Sequence, residues 1–136
     1  MPADSERLSS AVARLSRRLR QERDSDLTPS QLSVLGTLSQ LGPTTPGAVA
    51  SRERVQPPSI TRMLTCLSED GLVTREPHPS DGRQVLVSVS DLGRKVLAEE
   101  RARRDAWLHV QLRDLDRRER AVLREASAIL ERLAES

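Results

Sequence analysis

Three helix starts follow one another between Thr28 and Pro58, and each is marked by proline. Proline has no N–H to donate and a φ that is already helical, so it suits a helix's first turn and breaks its interior. In Thr28-Pro29-Ser30-Gln31 the threonine can cap and Gln31 completes a capping box. The helix it opens presents Leu32, Val34, Leu35, Leu38 and Leu41 without one charge, which predicts burial on several sides. Gly42-Pro43 ends it. Thr45-Pro46 repeats the signal and opens a short helix to about Arg54. Gln56 then precedes Pro57-Pro58, and Ile60, Met63, Leu64 and Leu67 recur at the period of a core-facing helical stripe. Asp70-Gly71 stops this third helix, with Gly71 the expected left-handed residue.

After Gly71 the period changes from 3.6 to 2. The spacing predicts a strand over 72–76 and a second over 85–89, where Val85, Val87 and Val89 alternate with Leu86 and Ser88. Pro77-His78-Pro79-Ser80-Asp81-Gly82-Arg83 between them is a turn-rich tip. Ser90 can cap a long helix carrying Val96, Leu97, Trp107 and Leu108. A last helix starts near Asp116, with Glu119 as its capping-box partner, and carries Val122, Leu123, Ala126, Ile129, Leu130 and Leu133. Ahead of all this, Asp4 to Asp26 reads as a charged helix with one apolar stripe of Leu8, Val12, Leu15 and Leu19.

The order is four helices, a hairpin and two helices: a mainly α chain with a small β-hairpin wing. Two short helices joined by a tight turn, the second running into a hairpin, describe a winged helix-turn-helix. In that design the first short helix braces the second, which enters the DNA major groove. Removing the core stripe from Pro57–Leu67 leaves Pro58, Ser59, Thr61, Arg62 and Thr65 on the outer face. A small polar face with one arginine suits close approach to base edges. Alone it would read as a solvated helix face; the bracing helix and the hairpin make it a reader. Arg62 can fork onto guanine or reach phosphate, and Ser59 and Thr61 can touch bases or backbone.

The wing gives a second sign. Arg83 lies at the hairpin tip, where an arginine can enter a narrow, electronegative minor groove. Asp81, two residues earlier, is expected to clamp that guanidinium. The bland alternative is a surface ion pair that stabilises a turn, which is worth little. His78 reads as a solvated loop residue, with a phosphate contact as the alternative.

Composition narrows the class. The 136 residues suit one modest core, and 36% hydrophobic with 31% charged fits neither a disordered chain nor a membrane protein. The uncharged run Leu27–Ser51 is broken by prolines and glycines, so it is no spanning helix, and the N-terminus has no signal-peptide core. A cytoplasmic protein without a membrane partner is expected. Net charge is only +2, so no whole-molecule charge argument for nucleic acid exists. Every basic residue but Lys95 is arginine, which fits forked phosphate contacts and fits a GC-rich genome equally. Two distant histidines, His78 and His109, one cysteine and no phosphate loop or nucleophile elbow argue against an enzyme, a cofactor or a metal site. Cys66, with Glu69 and Asp70 close behind, is expected to be packing; a redox switch would need an exposed, electropositive thiol.

The runs Leu27–Gln31, Thr45–Ala50 and Pro57–Arg62, with Gly71-Leu72-Val73, Asp81-Gly82-Arg83 and Leu92-Gly93-Arg94, resemble the MarR (multiple antibiotic resistance regulator) family in order from Leu27 to Leu97. The resemblance implies a homodimer that binds a palindromic DNA operator, often a repressor relieved by a small phenolic or lipophilic ligand. It places base reading on Pro58, Ser59, Thr61 and Arg62 and the wing arginine on Arg83. Gln56 departs from the family's Ser or Thr cap. A ligand pocket would lie between dimerisation helices and reader, with Trp107 or Arg14 as candidate lining; Trp107 reads better as a core or interface residue, and the ligand residues stay unknown.

The apolar stripes of the first and last helices have no evident partner inside a compact reader. Packing on a second chain would bury both, and a two-fold axis would set two recognition helices about 34–36 Å apart. The alternative is that they pack on each other within one chain. Residues 1–26 and 96–136 are therefore expected to form a helical dimerisation region and 27–95 the winged helix-turn-helix, within one compact domain. A winged helix used only for protein contacts is the competing function, as is a thiol-responsive regulator using Cys66.

Overall fold

A computed structural model describes residues 2–22 and 26–136. Among these described residues six helices and one hairpin follow in order: α1 (Pro2–Gln21), α2 (Pro29–Leu41), α3 (Pro46–Glu53), α4 (Pro57–Glu69), β1 (Val73–Pro77), β2 (Val85–Val89), α5 (Asp91–Arg113) and α6 (Arg117–Ala134). The first helix starts and ends earlier than the Asp4–Asp26 expected of it, and residues 23–25 of that span lie outside the described residues. The first strand is one residue later than expected, because the chain leaves α4 through Gly71 at φ 75° and only then extends. The second strand has the expected bounds. No described helix is long and apolar enough to cross a membrane.

The capping chemistry read from the sequence is in place. The Thr28 hydroxyl accepts from Gln31 N–H at 3.1 Å while the Gln31 side chain accepts from Thr28 N–H at 2.9 Å. Asp116 and Glu119 form the same reciprocal pair at 2.7 and 3.1 Å. Thr45 caps α3 by accepting from Ala48 N–H. The Gln56 side chain makes no cap bond, so α4 begins on its prolines alone. Each satisfied cap contributes about 1 kcal/mol by removing an orphan donor.

Residues 26–102 form a compact unit with a single aliphatic core. It joins Val34, Leu35 and Leu38 of α2, Val49 of α3, Ile60, Leu64 and Leu67 of α4, Val73, Val87 and Val89 of the hairpin, and Leu97 of α5. Burying each such side chain stabilises by roughly 1.5–3 kcal/mol. Leu41, expected in the α2 stripe, lies at the helix end and is exposed. The two strands pair antiparallel from Val73↔Val89 to Pro77↔Val85. A third piece was not visible in the sequence: Thr44 pairs with Val87 through N–H···O bonds of 3.1 and 2.7 Å, fixing the start of α3 to the wing.

Two polar clusters hold the helices that frame α4. The Glu53 carboxylate accepts from the Ser33 hydroxyl at 2.8 Å and from buried Thr37 at 2.5 Å, binding α3 to α2. Where α5 begins, the Ser90 hydroxyl donates to Gly71 O at 2.6 Å and accepts from Gly93 N–H at 3.0 Å. Gly93 is needed there, since a Cβ would lie 2.2 Å from the Leu72 carbonyl oxygen.

The other compact unit comprises α1 and residues 103–136. Neither α1 nor α6 has a single buried residue. Leu8, Val12 and Leu15 on α1, and Val122, Leu123, Ile129, Leu130 and Leu133 on α6, are exposed. The Arg18 guanidinium sits 5.0 Å over the half-buried ring of Trp107.

Candidate nucleic-acid interface

The outer face of α4 is built by subtraction, since Ile60, Leu64 and Leu67 are committed to the core. What remains at i, i+3, i+4 and i+7 is Pro58, Thr61, Arg62 and Thr65, all exposed. Ser59 is half-buried and sits at the rim of this face rather than on its crest. Pro58 gives the leading turn a small, rigid surface with no N–H to desolvate.

The two threonines are not free hydroxyls. Thr61 donates to the Pro57 carbonyl at 3.1 Å and Thr65 to the Thr61 carbonyl at 2.9 Å. With its proton turned back onto the helix, the Thr61 oxygen remains available as an acceptor, whereas the Thr65 oxygen already takes a bond from an arginine of β1. Such a face complements the amino groups of cytosine or adenine and the thymine methyl. Arg62, on the same crest, has no ion-pair or hydrogen-bond partner among the described residues.

Arg75 of β1 was missed in the sequence. Its Nη2 donates to the Thr65 hydroxyl oxygen at 3.1 Å, tying the hairpin to the recognition helix. The available signal was its place: an exposed cation on the strand that directly follows α4. The bond takes one of five guanidinium donors and leaves the others on the exposed side.

The wing corrects one expectation. Asp81 does not clamp the Arg83 guanidinium; its Oδ1 accepts from the Arg83 backbone N–H at 3.1 Å. A carboxylate two residues before a backbone N–H closes a local turn more readily than it reaches a long flexible side chain. The Arg83 guanidinium is thereby left without a partner among the described residues, extended from an ordered turn. His78 is also not a solvated loop residue: it is half-buried, and its Nδ1 faces the N–H groups of Ser80 and Asp81.

Cys66 corrects another. It is exposed, not packed, because Leu67 takes the core position and Cys66 lies about 100° round the helix from it. That puts the thiol one turn beyond Arg62. No cluster of described side chains could hold a metal ion.

Charge alone does not make this surface. Residues 27–95 carry seven basic and six acidic side chains, so net charge gives this unit little attraction for a polyanion. Arg62 on the crest of α4, Arg75 on β1 and Arg83 at the wing tip are its exposed cations on the helix face and the hairpin.

A helix-turn-helix braced by α2, with an arginine-tipped hairpin directly after its second helix, defines a winged-helix DNA-binding protein. The MarR family model matches residues 27–85. An HTH-type transcriptional regulator of Mycobacterium tuberculosis is 51% identical over 124 residues, covering 90% of this chain and 87% of that one. A putative transcriptional regulator from Pseudomonas aeruginosa shares the fold at a TM-score of 0.86 and 37% identity, over 97% of this chain and 94% of that one. The C80S mutant of MarR from E. coli superposes at a TM-score of 0.80 with 26% identity, over 96% of this chain and 95% of that one. The chain belongs to the MarR family: it is a winged helix-turn-helix, DNA-binding regulator of transcription and not an enzyme.

Proposed function

We propose that this protein binds a palindromic operator in double-stranded DNA as a homodimer and represses transcription there, with release by a small lipophilic or phenolic ligand. One observation carries the reading: Arg62 and Arg83 project from two ordered elements, and neither guanidinium has an intramolecular partner among the described residues. Exposed, unpaired arginines on a helix crest and at a wing tip suit a polyanion whose major and minor grooves adjoin. Pro58, Ser59, Thr61 and Thr65 then complete the groove-facing surface, and Asp81 serves by shaping the turn that carries Arg83.

The dimer is supported by what α1 and α6 leave uncovered. Val122 is 55% and Leu133 57% exposed, on a helix with no buried residue at all. Contiguous apolar stripes of this kind mark an interface. A second copy offers the same stripes, and a closed two-fold pair satisfies both chains at once. Two recognition helices related in this way read an inverted repeat, and a dimer lying across successive grooves represses by excluding other proteins from that stretch.

The experiment is a fluorescence-anisotropy titration against the DNA upstream of the protein's own gene, at two salt concentrations and beside scrambled DNA. Saturable binding at one dimer per palindrome, stronger than to scrambled DNA, is the expected result. Equal binding to both would favour the alternative in which this winged helix meets a protein. The exposure of Cys66 beside the Arg62 turn supports a second reading, a thiol-responsive regulator. Peroxide-sensitive DNA binding that Cys66→Ser abolishes would establish it.

A further inference from the structure

The loop that carries Arg83 contains neither helix nor strand, yet hydrogen bonds link His78, Ser80, Asp81, Arg83 and Gln84 within it. His78 N–H donates to Gln84 O at 3.1 Å, closing the loop at its base. Gln84 N–H donates to Asp81 O at 3.0 Å. Asp81 Oδ1 takes the Arg83 N–H at 3.1 Å. Asp81 is itself held by its own N–H, which points at His78 Nδ1 at 3.2 Å, and Ser80 N–H points at the same nitrogen at 3.1 Å. The Ser80 hydroxyl lies 3.2 Å from it as well. Pro77 and Pro79 restrict the backbone on both sides of the imidazole.

Two side chains are therefore nested. His78 fixes the backbone of Asp81, and Asp81 fixes the backbone of Arg83. Two backbone N–H donors converge on Nδ1, which accepts from them only if it is unprotonated, with the ring proton on Nε2. Half-buried, with Nδ1 engaged by the loop, the ring is placed as an internal cap and not as a group reaching for a ligand.

We infer that His78 is a positioning residue for the wing arginine, its Nδ1 acting as the acceptor that orders the tip and holds Arg83 ready for the minor groove. The inference rests on the reading of Arg83 as a DNA contact. It assigns His78 no contact with DNA of its own. What the imidazole contributes is an ordered starting point: a tip already folded does not have to be ordered when it binds.

The test is a double-mutant cycle on the full-length protein, with a duplex that the wild type has selected from a random-sequence library as the anisotropy probe. His78→Ala should weaken binding about threefold to tenfold, the range for losing a modest hydrogen-bonded cap. Arg83→Ala should weaken it more, and His78→Ala combined with Arg83→Ala should bind no worse than Arg83→Ala alone. His78→Asn should restore binding, because Asn Oδ1 occupies the branch position of Nδ1 and accepts from the N–H two residues on. Amide exchange in the DNA-free protein should show Ser80 and Asp81 exposed in His78→Ala and protected again in His78→Asn. Additive losses in the double variant would overturn the inference, because His78 would then be touching DNA itself. Full binding by His78→Ala, or failure of His78→Asn to rescue, would overturn it too. If Arg83→Ala binds like the wild type, the Arg83 reading fails and takes the inference with it; if only the histidine variants behave normally, the Arg83 reading stands alone.

Discussion

Arg75 on the first wing strand donates to the hydroxyl of Thr65 on the recognition helix at 3.1 Å. Both residues are exposed, so the bond joins α4 and the wing at their surface and not through the core beneath. It ties α4 to the wing, and it uses only one of the five Arg75 donors. Arg75→Ala should weaken DNA binding by roughly 0.5–1.5 kcal/mol, the net range for a hydrogen bond. Anisotropy checks this, beside a thermal melt that should stay near the wild-type midpoint. Unaltered binding would mean that the bond is incidental.

Arg62 and Arg83 should fail differently when truncated. Arg83→Ala should cost roughly 1–3 kcal/mol on the specific site with the fold intact. Arg62→Ala should relax sequence preference if it forks onto a base, or weaken all sequences evenly and flatten the salt slope by about one if it touches phosphate. Titrations at several salt concentrations on specific and scrambled duplexes separate the two outcomes.

Gly93→Ala should destabilise the reader by at least about 1–3 kcal/mol. The new Cβ would stand 2.2 Å from the Leu72 carbonyl oxygen and 2.8 Å from a Val89 methyl. Backbone cannot yield there without pulling α5 away from the strand. Chemical denaturation reads the loss directly, and a variant as stable as the wild type would show that the helix start is free to shift.

Leu130→Glu should convert the proposed dimer to monomer. The residue lies on α6, which buries nothing, so the helix itself should persist by circular dichroism. Placing a charge in an apolar interface costs several kcal/mol unless it is paired. Sedimentation velocity at micromolar concentration checks the state, and operator affinity should fall with it because one half-site is lost.

The exposed Cys66 thiol should react with maleimide in the native protein, and the adduct should block DNA binding. In the proposed docking, a bulky group one turn from Arg62 does not fit between helix and groove. Cys66→Ser should bind normally and resist the reagent. Full binding by the alkylated protein would place that stretch of α4 outside the interface.

Much of the fold was legible because its decisions are local. Thr28 with Gln31, Asp116 with Glu119, and Gly71 with its left-handed φ act within a few residues, and the core stripe of α4 is a matter of period. The outer face followed by subtraction. What was not legible depends on contacts between distant segments. Thr44 pairs with Val87 across more than forty residues, and a one-residue strand between Pro43 and Thr45 has no periodicity to reveal it. Arg75 acquires its role only when β1 lies against α4. Asp81 was paired with the wrong part of Arg83, since charge suggested the guanidinium while loop geometry favoured the nearer N–H. Cys66 was assigned to the core from its neighbours' charges, but its angular position on the helix decides the matter.

The most direct test of sequence-specific binding by a dimer is selection from a random duplex library by the full-length protein. The expected outcome is an inverted repeat whose half-sites are centred about 10–10.5 base pairs apart, one helical turn, as two recognition helices on a two-fold axis require. A selected pool with no shared sequence, or a single unrepeated half-site, would contradict it.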